Sequence, residues 1–171
     1  MEHLKSKIRS IPDFPKAGIL FYDITTLLQD PVGFRSAIDS LATPFVGQGI
    51  DVVVGVESRG FIFGSAVADR IHAGFSPVRK PGRLPSRTMR QTYDLEYGTD
   101  ALEIHDDAVK RGQRVLIVDD LLATGGTARA TADLVRRLGG EVHALAFLIE
   151  LLALNGRRKL EGERVQAILQ Y

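Results

Sequence analysis

The 171-residue chain contains no cysteine, which excludes a disulfide scaffold and any thiolate metal centre and suits a reducing compartment. It also lacks an excess of either charge: 22 Lys and Arg stand against 21 Asp and Glu, a formal net charge of +1. Such a balance exerts no long-range pull toward nucleic acid or an anionic membrane surface. No apolar run approaches the ~20 residues of a membrane-spanning helix. Residues 1–10 are charged and amphipathic, without the apolar stretch of a secretory signal. His3, His72, His105 and His143 show no metal-ligand spacing. Internal repeats, heptads and low-complexity linkers are missing too. The expectation is a single domain over residues 1–171 in the cytoplasm, binding neither nucleic acid nor membrane. A hydrophobic content of 44% is ample for its core.

What the chain does contain is an alternation of apolar β-rich runs with helical periods. Strands are expected over 52–56, 75–78, 115–118, 142–149 and 165–169, and helices over 3–8, 34–45, 61–71, 128–138 and 156–160. The central runs are almost continuously apolar, as in strands covered on both faces. This predicts an α/β fold with a Rossmann-like parallel β-sheet flanked by helices. Ligands in such sheets bind beyond the carboxyl ends of the strands, so the loops after residues 56, 78 and 118 matter most.

The loop after residue 118 says most about function. Residues 115–127 read Val-Leu-Ile-Val-Asp-Asp-Leu-Leu-Ala-Thr-Gly-Gly-Thr. Glycines let the backbone approach an anion, and the first N–H groups of the following helix point at it with the dipole behind them. A phosphate is therefore expected on Ala123, Thr124, Gly125, Gly126 and Thr127. Asp119 and Asp120 would repel that phosphate, but they suit the hydroxyls of a sugar diol, which donate into acceptor-only oxygens. Phosphate beside diol implies a ribose 5-phosphate. A Walker loop would need a lysine after its glycines, and a dinucleotide fingerprint would place its acid about 20 residues later.

Other features carry two readings each. Arg59, in Glu57-Ser58-Arg59-Gly60, is either a second anion clamp at a strand end or the partner of Glu57. Residues 79–90 hold five basic residues and no acid, with Pro81, Gly82 and Pro85 breaking regular structure. They form either solvated surface or a mobile lid over a polyanion. Residues 91–98 alternate like a strand; within them Glu96 is either a proton-handling group or a salt-bridge partner. Residues 14–25, apolar and aromatic, are either core packing or a wall of a ligand pocket.

Several of these segments together resemble the adenine phosphoribosyltransferase family, one of the type I phosphoribosyltransferases. The resemblance runs from residue 11 through 171. It rests on 115–127 and on Phe-Pro-Lys-Ala-Gly-Ile-Leu-Phe (14–21), Glu-Ser-Arg-Gly-Phe-Ile-Phe-Gly (57–64), Arg-Lys-Pro-Gly-Arg-Leu-Pro (79–85) and Tyr-Asp-Leu-Glu-Tyr-Gly (93–98). It implies the type I fold, with hood elements within 1–33 and 150–171 and a flexible basic loop over about 79–104. It implies transfer of a phosphoribosyl group from phosphoribosyl pyrophosphate to adenine, giving AMP and pyrophosphate, with Mg²⁺ held mainly by the substrate and reached through water by Asp119 and Asp120. Arg59, Arg79, Lys80 and Arg83 would hold pyrophosphate, Arg79 from a neighbouring subunit of a homodimer, and the Glu57–Ser58 peptide would be cis. Leu20 and Tyr22 would receive adenine on their backbone with Phe21 packed nearby and residues 148–151 opposite. Glu96, with Tyr97, would close over the base, and Glu96 and Arg59 would be the catalytic groups. Tyr22 departs from the pattern, since members of the family often carry Arg there.

Overall fold

The computed structural model describes residues 2–95 and 97–171. Its elements, in chain order, are α1 (Glu2–Lys5), β1 (Arg9–Pro12), β2 (Leu20–Asp23), α2 (Thr25–Gln29), α3 (Pro31–Ala42), β3 (Val52–Val56), α4 (Arg59–Ile71), β4 (Gly74–Val78), β5 (Thr88–Asp94), β6 (Thr99–His105), β7 (Arg114–Leu122), α5 (Gly126–Arg137), β8 (Glu141–Glu150) and β9 (Val165–Gln170). Short 3₁₀ turns cover Thr43–Phe45, Leu152–Leu154 and Gly156–Leu160.

The main sheet is parallel throughout, in the order β4-β3-β7-β8-β9. The connections out of β3 and β7 run to opposite sides, so a crevice opens between their carboxyl ends, the position where doubly wound sheets bind ligands. Two apolar clusters sandwich the sheet. Leu116, Val118, Ala144 and Ala146 pack with Phe63 and Val67 of α4 and Leu41 of α3. Val115, Ile117, Leu145 and Phe147 pack with Leu134 and Val135 of α5 and with Leu102 and Ile104 of β6. Period-2 alternation sends neighbouring strand residues to opposite clusters.

Local chemistry sets the helix ends. Pro31 opens α3, and the Asp30 carboxylate accepts from Gly33 N–H at 2.6 Å, a cap that satisfies a free donor. The helix therefore starts three residues before the expected 34–45, and Pro44 converts its tail into a 3₁₀ turn. The segment expected as a strand at 91–98 is the first arm of an antiparallel hairpin: Thr88 pairs with His105 and Asp94 with Thr99, and Leu95 N–H donates to the Gly98 carbonyl at 2.9 Å. Its return arm, β6, is too broken by polar residues for periodicity to reveal. The helix expected over 156–160 is a 3₁₀ turn, and the one over 3–8 shortens to α1.

Candidate active site

A cleft of about 390 Å³ lies at the carboxyl ends of β3, β4 and β7. Glu57, Ser58 and Arg59 follow β3, Lys80 follows β4, and Asp119, Asp120 and the loop Ala123–Thr127 come from β7 and its turn into α5. Most of the residues singled out for phosphate, diol and pyrophosphate therefore share one wall-to-wall space.

The acidic pair sits inside β7, which continues to Leu122, four residues beyond the expected end. Pairing of Asp119 with Phe147 and of Leu121 with Ile149 extends the strand. Val118 and Leu121 belong to one apolar cluster, Ile117 and Leu122 to the other, so the alternation slips by one across the two acids and lets both carboxylates line the same cleft. Asp120, 7% exposed, accepts from Arg59 Nε at 2.5 Å. Asp119 accepts from the Asp120 N–H at 2.8 Å. Its Oδ1 fills the space a side chain on Gly60 would take, 2.8 Å from that Cβ position. Burial, and then the negative Asp120 beside it, pushes the Asp119 carboxyl well above the ordinary carboxylate range, with Arg59 opposing. Burial works against the Arg59 charge, but Asp120, Asp119 and Asp23 outweigh it and raise its pKa.

The loop that follows is shaped for an anion. Gly125 has φ +81°, a left-handed conformation that glycine adopts without cost, and is the N-cap of α5. The first turn of α5 carries no acid, so the N–H groups and dipole meet no internal counter-charge. Gly125 and Gly156 touch so closely that a Cβ on Gly125 would collide with the Gly156 carbonyl, and one on Gly156 with the Ala123 carbonyl. Tyr93 covers the other side. Its ring lies 3.2 Å from the Cβ position of Gly126, and its hydroxyl is 3.2 Å from both Thr127 Oγ1 and Asp100 Oδ2.

The basic segment converges on acids elsewhere. Arg79 Nε donates to Glu57 at 2.8 Å, the Lys80 N–H donates to the same carboxylate at 3.1 Å, and Arg83 Nε lies 3.6 Å from it. Burial alone would raise the Glu57 pKa; Arg79, the Lys80 N–H and Arg83 more than reverse this and hold it below the usual range. Lys80 Nζ pairs with Asp100, and Arg87 with Asp106 at 3.2 Å. Arg59 does not pair with Glu57, the partner weighed for it; its guanidinium is on Asp120, which the sequence reading had not offered. Lys80 lines the cleft, whereas Arg79 and Arg83 stand at its rim on Glu57. The Glu57–Ser58 peptide is cis, as the resemblance implied.

In β2, Phe21 lies on the side of Arg59: its ring centroid is 6.0 Å from the Arg59 guanidinium and 5.0 Å from Phe14. Tyr22 points the other way, its ring 4.0 Å from that of Tyr171. Leu20 and Tyr97 are exposed, Tyr97 to 85%, and neither is among the described residues that line the cleft. Glu96 lies outside the described residues. Asp23 accepts from the Thr25 N–H and hydroxyl and from Arg9 at 2.6 Å, and these hold its pKa down to about 2. Sequence reasoning missed Glu57 as the anchor of Arg79 and Arg83, Tyr93 as a side of the phosphate loop, and Gly156 as its backing. All three are long-range contacts without a local signature.

Residues 34–165 match the family model described as the phosphoribosyl transferase domain. The adenine phosphoribosyltransferase of Acidobacterium capsulatum is 61% identical over 170 residues, covering 99% of this chain and 94% of that protein. The crystal structure of the adenine phosphoribosyltransferase from Thermoanaerobacter pseudethanolicus superposes with a TM-score of 0.96 at 53% identity, over 99% of each chain. That of the Saccharomyces cerevisiae enzyme, complexed with an imino-altritol bisphosphate and adenine, gives a TM-score of 0.92 at 41% identity over 98% of this chain and 97% of the other. With a cleft of this composition at the switch point of the sheet, and similarity that spans the whole chain, the protein belongs to the phosphoribosyltransferase family and, within it, to the adenine phosphoribosyltransferases.

Proposed function

We propose that the chain transfers the 5-phosphoribosyl group of phosphoribosyl pyrophosphate to adenine, giving AMP and pyrophosphate, and that this cleft is where it does so. The observation that carries the assignment is the set of groups that share the cleft: a helix start suited to an anion, two carboxylates, and the cations Arg59 and Lys80. That set matches the 5-phosphate, ribose diol and pyrophosphate of one substrate. Full-length likeness to adenine phosphoribosyltransferases supports adenine as the acceptor.

Each residue has a derivable task. Ala123, Thr124, Gly125, Gly126 and Thr127 bind the 5-phosphate, and Asp119 and Asp120 accept from the ribose hydroxyls. As the bond from the anomeric carbon to pyrophosphate breaks, the sugar gains oxocarbenium character and the leaving group gains negative charge. Arg59 and Lys80 neutralise that charge, joined by Arg79 and Arg83 at the rim. The purine N9 forms the new bond from the opposite face, and Glu96 with Tyr97 handles the base and its N9 proton. Phe21, with the backbone of Leu20 and Tyr22, receives the adenine ring.

Mg²⁺ fits this site as a substrate-held ion. The available donors are the hard oxygens of Asp119 and Asp120, and among the described residues no three His, Asp or Glu side chains cluster to hold a metal outright. When bound, the ion neutralises pyrophosphate and polarises the bond that breaks; the two carboxylates would reach it through water.

The chain acts as one domain over 1–171, with hood elements within 1–33 and 150–171 and a basic flap over about 79–104 that closes to exclude water. A homodimer is supported by the family resemblance and by Ile62 and Phe75, left exposed on α4 and the edge strand β4. A cytoplasmic site of action is supported by the cysteine-free composition. Among the described residues no helix is long and apolar enough to cross a membrane. The deciding experiment mixes protein, Mg²⁺ and phosphoribosyl pyrophosphate with adenine, hypoxanthine or xanthine and follows nucleotide formation. AMP from adenine alone is expected; no nucleotide from any base would overturn the reading.

A further inference from the structure

The phosphate loop is built against a second turn, Gly156–Leu160, whose position is firmly fixed. Arg157 donates to both oxygens of the buried Glu150 at 2.7 and 2.9 Å and to the Val165 carbonyl at 3.1 Å. Leu160 is buried in the core, and Gly156 abuts Gly125 and Ala123. On this anchored turn stands Lys159. Its Nζ lies 3.7 Å from the Cβ position of Gly126, the first residue of α5. Among the described residues Lys159 has neither a hydrogen-bond nor an ion-pair partner. A second hollow, of about 440 Å³, is lined by Lys159, Arg158, Asn155 and Leu154 and reaches the phosphate loop at Thr124.

A cation leaning on the positive end of a helix is unfavourable by itself, because the dipole and the ammonium repel. The two become compatible when an anion lies between or beside them, with N–H groups on one side and the ammonium on the other. We infer that Lys159 is a binding residue for the 5-phosphate of the substrate, completing from the far side the site formed by Ala123–Thr127. Glu150 and Arg157 are its positioning residues, since they fix the turn that carries it. The inference rests on the reading of the cleft given above and adds to it a charged group that comes from outside the signature segment, 32 positions beyond Thr127.

The test is equilibrium binding of ribose 5-phosphate and, separately, of pyrophosphate to the full chain and to Lys159→Gln, Lys159→Arg and Thr127→Val. Lys159 is exposed, so its variants should fold, which thermal melts verify. Loss of one charge-assisted contact predicts that Lys159→Gln binds ribose 5-phosphate about tenfold or more weakly. It should raise KM for phosphoribosyl pyrophosphate by a similar factor, with KM for adenine and the affinity for pyrophosphate unchanged. The salt dependence of ribose 5-phosphate binding should flatten in Lys159→Gln and recover in Lys159→Arg, which a merely structural role would not produce. If Lys159→Gln binds ribose 5-phosphate like wild type while Thr127→Val is weakened, the role of Lys159 is overturned and the cleft reading stands. If wild type ignores ribose 5-phosphate, or Thr127→Val binds it unchanged together with Lys159→Gln, both readings fall.

Discussion

Arg59 Nε lies 2.5 Å from Asp120 Oδ2, tying the first residue of α4 to the acidic pair of β7 across 61 positions of sequence. This contact closes the switch-point crevice at its base. It places a guanidinium, through its unused nitrogens, next to the space where pyrophosphate would leave.

Replacing Arg59 by Ala removes that charge and strips Asp120 of its partner. A fall in kcat/KM for phosphoribosyl pyrophosphate of about 10²–10³ is expected, the usual scale for losing one preorganised donor to a developing anion. Arg59→Lys should recover only part, because a point charge cannot replace the fork. Steady-state kinetics on the folded variants decides; normal turnover in Arg59→Ala would remove it from the catalytic machinery.

Gly60→Ala tests the fit of Asp119. The added methyl would stand 2.8 Å from Asp119 Oδ1 and 3.2 Å from the Val118 carbonyl, so the carboxylate must move. Affinity for ribose 5-phosphate should drop with little loss of helix stability, since Ala is the better helix former. Calorimetric titration and a melt on the same sample separate the two effects.

Asp119 and Asp23 predict opposite pH behaviour. The folded Asp119 carboxyl titrates high, through burial and Asp120, so its stability contribution is present below the ordinary value of about 3.9 and is lost as pH rises through the folded one. For activity the charged form is needed, and kcat/KM should fall as pH drops through that raised value. Asp120→Asn removes the neighbouring charge, so the acid limb of its residual activity should move to lower pH. Asp23, held at about 2 chiefly by the Thr25 N–H and hydroxyl and by Arg9, instead stabilises above about 3.9 and loses that contribution as pH falls toward 2. Urea unfolding of wild type and Asp23→Asn from pH 6 down to 2 should show two curves that converge in acid.

The left-handed Gly125 and its contact with Gly156 predict strong effects from single methyl groups. Gly125→Ala carries about 1–2 kcal/mol for the left-handed backbone, plus a collision with the Gly156 carbonyl that no rotamer change relieves. Gly156→Ala, by its clash with the Ala123 carbonyl, should damage ribose 5-phosphate binding although it lies outside the signature segment. Binding as tight as wild type in Gly156→Ala would show that the two turns are independent.

The Tyr22 ring lies against that of Tyr171, their centroids 4.0 Å apart. Tyr22→Arg should therefore cost about 0.5–1.5 kcal/mol of stability, read by chemical denaturation.

The sequence by itself determined the alternating α/β pattern, because the apolar runs at 52–56, 115–118 and 142–149 are too short for buried helices and the first two are rich in β-branched residues, which suits strands covered on both faces. It determined the small-residue turn at 123–127 and the helix start after it as well, because that pattern is local, within one turn of chain. The partners of charged side chains were decided only in three dimensions. Arg59 had a neighbouring acid in Glu57, yet the sheet order sets it on Asp120, and Glu57 takes Arg79 and Arg83 from the end of β4. The slip in alternation across Asp119 and Asp120 depends on continued pairing with β8, and the backing of Gly125 by Gly156 depends on where β8 ends. Periodicity reports which face a residue occupies; which distant group it meets there is fixed by strand order and packing.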